Sequence, residues 1–392
     1  VPPIPGIYIH IPFCERKCAY CAFNTADFFE ELAHRYVKAV EREIEFRGDS
    51  LRTEAGRLVV DSIYFGGGTP SILEAEQIAS LLEACREAFA VAPKAEVTIE
   101  INPGSFSPAR VGGWLEAGVN RASIGAQSFR DHELKAMGRN HSPGDTRRTV
   151  ELLRASGFEN VSLDLIAGWP GQTIGDWEHN LKETIELRPE HLSLYLLEVK
   201  PGTQLSASIQ RGRVMPPDDD LAAQMYKILC ETTRDAGYYQ YEISNFALIA
   251  EEAAGGAGID LRSQHNLKYW TGAAFYGMGS GAHSYDGRAR WHNVLSTEAY
   301  ITAVGENGTA VAERLEPGAG ELAAEALFMR LRLTEGVELT QFRNQYGLDP
   351  IESFGDDYAR LRDAGLIAVS DGRLALTERG RLLSNEVFVA II

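Results

Sequence analysis

The first half of the chain repeats one pattern. Six runs with strand character, at residues 7–11, 59–65, 96–101, 121–126, 160–166 and 191–197, alternate with stretches of helical period at 30–46, 74–89, 146–156, 174–187 and 218–236. Strands alternating with helices build βαβ units around a parallel sheet. Six such units predict an α/β fold, a partial (β/α)6 barrel rather than the complete eight-stranded form. Inside the strands a period of two separates two faces. Ile7, Ile9 and Ile11 oppose Tyr8 and His10; Ile99 and Ile101 oppose Thr98, Glu100 and Asn102; Leu163 and Leu165 oppose Ser162 and Asp164. The apolar set is expected to face the helices and the polar set the barrel interior.

After the sixth strand the pattern changes. Residues 251–264 are acidic and rich in Gly and Ala, which predicts a flexible insertion or lid. His265-Asn-Leu-Lys-Tyr-Trp270 follows, then the glycine-rich run from Tyr276 to Tyr285. Beyond residue 313 helices precede an apolar stretch at 366–380 that reads as a β-hairpin turning at Asp371-Gly372. The chain thus divides into a barrel at 1–250, an insertion and extension at 251–312, and a small winged-helix-like module at 313–392.

Charge and composition narrow the partners. The formal net charge of −17 over 392 residues argues against nucleic acid, whose phosphates need a basic footprint. The C-terminal module has more acidic than basic residues, so it is expected to pack or to meet a partner rather than bind DNA. No apolar run is long enough to span a bilayer and no signal-peptide pattern opens the chain. Five cysteines suggest no disulfide framework, so a reducing compartment, the cytoplasm, is expected.

The chemistry gathers at the carboxyl ends of the strands, where parallel barrels build their sites. Cys14, Cys18 and Cys21 follow the first strand, Gly66-Gly-Gly-Thr-Pro70 the second, Glu100 and Asn102 end the third, Gln127 follows the fourth, and Asp164 lies on the fifth. Three thiolates on one tight loop can hold three irons of a [4Fe-4S] cube, leaving one iron open to a small molecule. They can also hold structural zinc, with a histidine such as His10 as fourth ligand. The glycine run permits close backbone approach to a ligand but lacks the lysine of a phosphate loop.

The C-x3-C-x2-C spacing with Tyr20 before the last cysteine resembles the radical S-adenosylmethionine (radical SAM) superfamily. Tyr8-Ile-His-Ile-Pro-Phe-Cys14, Gly66-Gly-Gly-Thr-Pro70, Gly125-Ala-Gln-Ser-Phe129, Asp164-Leu-Ile-Ala-Gly-Trp-Pro170 and Glu242-Ile-Ser-Asn-Phe246 resemble its HemN-like branch, almost end to end. That branch includes oxygen-independent coproporphyrinogen III oxidase and the HemW-type haem chaperones. The resemblance implies a [4Fe-4S] cluster on the three cysteines and S-adenosylmethionine (SAM) contacts at Tyr8, Tyr20, Gly68, Thr69, Glu100, Gln127, Arg139 and Asp164.

Three features favour the HemW type. The chain starts shortly before the first strand, Phe23 stands where the oxidase has a further cysteine, and His265 to Trp270 matches H-N-x-x-Y-W. The chain departs from a common HemW form at Ala22 and in the insertion before His265. The implied function is binding of cluster, SAM and haem, with haem delivered to acceptor proteins, some of them membrane-associated. A flavodoxin or ferredoxin would supply electrons. His265 is the candidate haem ligand, beside Tyr269 and Trp270; His10 and His283 are alternatives, as is a merely structural His265. SAM cleavage is compatible with this reading and coproporphyrinogen oxidation is not expected. The alternative is a HemN-like enzyme, either that oxidase or a radical methyltransferase.

Overall fold

A computed structural model describes residues 3–104, 106–249 and 260–391. Six strands lie parallel and in chain order: β1 (Gly6–Ile11), β2 (Val59–Gly67), β3 (Ala90–Ile101), β4 (Arg121–Gln127), β5 (Asn160–Ala167) and β6 (His191–Leu196). Five helices connect or back them: α1 (Glu30–Ser50), α2 (Ala75–Ala88), α3 (Pro108–Ala117), α4 (Pro143–Ser156) and α5 (Ile174–Glu186); α6 (Asp219–Asp235) follows β6. The period-two reading holds in detail. Ile7, Ile9, Ile11, Ile99, Leu163 and Leu165 are fully buried against the helices, and α1 answers with a stripe of Ala33, Tyr36, Val37, Val40 and Ile44. These positions recur at the spacing that puts them on one helical face.

The sheet is larger than six strands. Past β6 come the antiparallel β7 (Tyr238–Gln240) and β8 (Asn245–Leu248), with β8 next to β6. On the other side β9 (Phe275–Met278) pairs parallel with β1, followed by antiparallel β10 (His283–Tyr285), β11 (Arg290–Asn293) and β12 (Val311–Leu315). The result is one 12-stranded sheet. The strands of 275–315, expected to belong to a separate extension, therefore continue the barrel sheet. Their glycines hid them: Gly277 in β9 lies where a β-carbon would stand 2.2 Å from the carbonyl oxygen of His283, so only glycine lets β10 close onto it.

Helices were also missed. α3 begins with Ser107, whose side chain accepts from the Arg110 backbone N–H, and Pro108; it ends at Gly118 in the left-handed region. These are ordinary helix punctuation, masked by the two glycines inside it. The segment 265–270 belongs to α7 (Gln264–Thr271), and α8 (Thr297–Asn307) crosses α1. The expected lid at 251–264 lies outside the described residues up to 259.

The C-terminal module comprises α9 (Ala319–Leu331), β13 (Val337–Glu338), α10 (Leu339–Tyr346), α11 (Asp357–Asp363), β14 (Ile367–Ser370) and β15 (Arg373–Leu376). Its three strands form an antiparallel sheet in the order β13-β15-β14. Asp371 and Gly372, at φ 49° and 73°, make the hairpin turn, the pair of left-handed residues that a two-residue type I′ loop requires. Leu327, Leu331, Phe342, Leu361 and Leu374 form a hydrophobic core distinct from the main one.

Candidate functional site: a thiol-lined cavity at the carboxyl ends of the strands

The carboxyl ends of the parallel strands surround a cavity of about 350 Å³, lined by all three clustered cysteines and by Tyr20, Gly68, Thr69, Glu100, Gln127, Arg139 and Asp164. Cys14, Cys18 and Cys21 are unbridged and half-buried. Among the described residues, the one group of three or more metal-ligating side chains whose donor atoms gather within 4.8 Å is His132, Glu133 and Asp176, so the three sulfurs are spread more widely. A single tetrahedral zinc with Zn–S bonds of ~2.3 Å would draw its sulfurs to about 3.8 Å. His10, the proposed fourth zinc ligand, has both ring nitrogens engaged, with the Tyr8 hydroxyl at 3.1 Å and the Asn24 carbonyl at 2.9 Å. Three thiols on one loop, with no free fourth ligand at His10, fit a cluster that leaves one iron open better than a four-coordinate zinc.

Polar groups converge on the thiols. The Thr69 hydroxyl donates to Cys14 Sγ and Arg139 Nη1 to Cys18 Sγ, both at 3.5 Å. The other Arg139 amine donates to Asn102 Oδ1 at 2.5 Å and to the Gly125 carbonyl at 2.6 Å, which fixes the guanidinium over the loop. Burial pushes the Cys14 and Cys21 thiols up from their ordinary range. The glycine run is a packing requirement: a β-carbon at Gly67 would strike the His10 ring at 2.5 Å, and one at Gly68 would meet the Pro12 and Phe13 backbone at 2.7 Å. That closeness brings the Thr69 hydroxyl to the cysteine loop.

The same cavity is lined by two half-buried carboxyl groups. Glu100 accepts from the Tyr64 hydroxyl at 2.9 Å and from the Gly67 backbone N–H at 3.0 Å. Asp164 accepts from the Ser123 hydroxyl at 3.3 Å. Burial raises Glu100 to about 7 and Asp164 to about 6, with Asp164 adding to the rise at Glu100 and the hydrogen bonds opposing it. Such a pair is prepared for a cation or for hydroxyl donors. Gln127 ends β4 with φ at +64°, a left-handed conformation for a non-glycine residue, beside a register shift between β4 and β5. Strain of this kind, about 1–3 kcal/mol, collects where a side chain must be aimed; no feature of the sequence signals it. Tyr64 and Ser123 were not among the expected site residues, although both share the interior-facing alternation; Asn102, expected at the end of its strand, lines the cavity.

Two expected site residues lie elsewhere. Tyr8 does not line the cavity; it sits beneath Gly66, its ring 6.2 Å from Tyr64 and 6.3 Å from His265. His265 is farther still. α7 closes the amino-terminal mouth of the barrel, opposite the cysteines. Glu96 on β3 accepts from the backbone N–H groups of Gln264 and His265 at 3.0 Å each, holding the start of α7. Lys268 donates to Asp61 at 2.5 Å and to the Ile4 carbonyl at 2.8 Å. The His265 ring is 1% exposed, with Nδ1 bonded to Ser62 Oγ at 2.9 Å and Nε2 to the Tyr269 hydroxyl at 3.1 Å. Burial drives its pKa down to about 3. Neither nitrogen is open to a haem iron in this arrangement, in which His265, expected to meet a haem, plugs the barrel instead of lining the cavity.

A parallel barrel with three open thiols, a glycine shelf and paired carboxyls at the strand ends defines a class, and the comparisons agree. A family model for the Radical SAM superfamily matches residues 8–184, and one for the HemN C-terminal domain matches residues 319–383. The chain is 37% identical to "Heme chaperone HemW" of Bacillus subtilis, covering 98% of each, and 35% identical to the protein of the same name from Mycobacterium tuberculosis, covering 98% of this chain and 95% of that one. It is also 33% identical to the bovine "Radical S-adenosyl methionine domain-containing protein 1, mitochondrial", over 100% of this chain and 89% of that one. The fold matches the solved structure of Escherichia coli coproporphyrinogen III oxidase (HemN) with a TM-score of 0.83 at 24% identity, covering 100% of this chain and 91% of that chain. The chain belongs to the HemW family, in the HemN-like branch of the radical SAM superfamily. No helix among the described residues is long and apolar enough to cross a membrane.

Proposed function

We propose that this chain is a cytoplasmic haem chaperone that holds a [4Fe-4S] cluster on Cys14, Cys18 and Cys21, binds SAM beside it, and passes haem to acceptor proteins, including membrane-associated ones. The observation that carries the reading is the cavity itself: three clustered thiols and two half-buried carboxyl groups line one space, in a chain whose relatives are named haem chaperones. When bound, a cluster with one open iron would supply an electron to the sulfonium of SAM. The residues supply the rest. Thr69 and Arg139 donate to the sulfurs of Cys14 and Cys18. Glu100 and Asp164 would take the ammonium and ribose hydroxyls of SAM, Gln127 and Tyr20 its remaining polar edges, and the Gly66–Gly68 shelf its chain. A flavodoxin or ferredoxin would be the electron donor.

Anaerobic reconstitution tests the first part. It should give a brown protein with about four irons per chain, and Cys14→Ser should lose most of them while Cys85→Ser should not. The reverse pattern would remove the assignment. Incubation of the reduced protein with SAM, and with haem or coproporphyrinogen, tests the second part. Haem binding and its transfer to an apo-acceptor support the chaperone. Efficient decarboxylation or methyl transfer, with no haem bound at micromolar concentration, would favour an enzyme instead.

A further inference from the structure

The polar interior face of the sheet does not end at β1. Tyr8 pairs in register with Gly277 of β9, and the antiparallel pairing of Phe275 with Tyr285 carries that row on to His283 of β10. His283 pairs with His292 of β11, and His292 with Glu313 of β12. Side chains on one row of a sheet point to one side. Two imidazoles and a carboxylate therefore stand in line on an outward extension of the barrel interior. The next row carries Phe275, Tyr285 and Arg290, with Arg290 6.0 Å above the Tyr285 ring.

His283 differs from the other histidines of this face. His10 and His292 use both ring nitrogens; those of His292 go to the Asn293 carbonyl at 3.1 Å and to Glu313 at 3.3 Å. His283 is exposed, its ring makes no hydrogen bond among the described residues, and it lies 5.2 Å from the His292 ring at 39°. Partial desolvation by its neighbours, then His292 and Arg290, lower its pKa from the ordinary histidine value, which favours the neutral form that ligates metals. Its place is fixed by the turn before it. Gly279 and Gly281 are left-handed at φ 103° and 69°; a β-carbon on Gly279 would meet Tyr36 Oη at 2.5 Å and one on Gly281 would meet Asn24 Nδ2 at 2.8 Å. Asn24 of the cysteine loop donates to the carbonyls of Ser280 and Leu295 at 3.2 and 2.9 Å. The imidazole is thus mounted three residues from a junction with the cluster loop, where Phe23 and Leu295 are 66% and 61% exposed.

We propose that this face is the haem site, with His283 as the axial ligand of the iron. The proposal rests on the haem-chaperone reading above. A haem is a flat apolar plate with two carboxylates. It needs an imidazole without a competing partner, a flat surface to lie on and a cation at its edge. The row of His283 and His292 gives the first and the Tyr285 ring on the adjacent row the second; Arg290, which is paired with Glu325, would share its charge with a haem carboxylate to give the third. His265 offers none of these in its buried position.

The test is an anaerobic titration of the reconstituted full chain with ferric protoporphyrin IX, followed by Soret absorbance and low-temperature electron paramagnetic resonance. Wild type, His283→Ala, His292→Ala and His265→Ala are compared, with cluster absorbance and SAM binding as controls of folding. His283→Ala should weaken haem binding at least tenfold and change the iron spin state, and added imidazole should restore the wild-type spectrum. His292→Ala should shift the spectrum less. Haem bound by wild type and by His283→Ala with the same spectrum and affinity would overturn this site while leaving the chaperone reading intact. Failure of wild type to bind haem would overturn both. Loss of haem in His265→Ala with its cluster and SAM binding preserved, and unchanged binding in His283→Ala, would return the ligand to α7.

Discussion

At the scale of single residues, the cavity wall is built from groups held away from their comfortable ionisation. Asp164 and Glu100 titrate at about 6 and about 7, above their ordinary values, because desolvation opposes charge at both and the Asp164 charge further opposes that of Glu100. The folded ligand-free protein therefore holds these protons more tightly than the unfolded chain does. Their contribution to stability is complete below pH ~4 and is lost as pH rises through 6 and 7. Asp164→Asn keeps the hydrogen bonding to Ser123, whose hydroxyl can donate or turn to accept, and cannot ionise. The variant should be more stable than wild type at pH 8 by on the order of 2 kcal/mol, with the difference about halved at pH ~5 and gone only near pH ~3, below the unfolded pKa, as read by anaerobic thermal melts. SAM affinity should move oppositely: in wild type it strengthens from pH 5 to 8, and in Asp164→Asn it is weaker and flatter. A variant no more stable than wild type at pH 8 would contradict the burial cost assigned to Asp164. This residue and Glu100 were legible in the sequence because alternation along β3 and β5 names the face. Gln127 was legible only as a loop residue; its positive φ depends on the register shift between neighbouring strands, which no local pattern carries.

At the scale of elements, the lesson lies in α7 and β9. The six parallel strands could be read because apolar residues recur at every second position in short runs set between stretches of helical period. β9 escaped because Gly277 is there to admit β10, and a glycine-rich run reads as a loop. His265 to Trp270 was visible as a cluster of an imidazole, a phenol and an indole, but sequence proximity says nothing of which end of a barrel a helix seals. The anchor that decides it, Glu96, is 169 residues away from His265. Removing the ring should therefore weaken the fold rather than haem binding. His265→Ala leaves the Ser62 and Tyr269 hydroxyls without their partner and opens a void beneath Tyr64, costing about 2–4 kcal/mol. Denaturant unfolding should show that loss. The haem spectrum of the folded fraction should match wild type.

At the scale of the whole molecule, the C-terminal module is joined to the barrel through the same plug. Arg332, just past α9, stacks over the Trp270 ring at 4.5 Å and reaches Glu242 at 3.4 Å, while the Thr334 backbone N–H donates to the Tyr241 carbonyl at 3.0 Å. Glu242 is fully buried and also accepts from the Ser244 backbone N–H and the Asn245 amide. Arg290 of β11 meets Glu325 of α9, so the module also borders the open face carrying His283. The Glu242 carboxylate has been taken out of water on the strength of that guanidinium. Truncating one partner of such a pair leaves an uncompensated buried charge and costs about 3–5 kcal/mol, whereas replacing both with neutral groups of similar shape is nearly free. Arg332→Ala should therefore loosen the module and lower the midpoint of anaerobic denaturant unfolding sharply. Arg332→Met combined with Glu242→Gln should recover most of the loss, since the Gln carbonyl still accepts from Ser244 and Asn245 and the Met side chain still covers Trp270. If the double variant were as unstable as Arg332→Ala, the stacking on Trp270 rather than the charge pair would be what holds the module to the barrel.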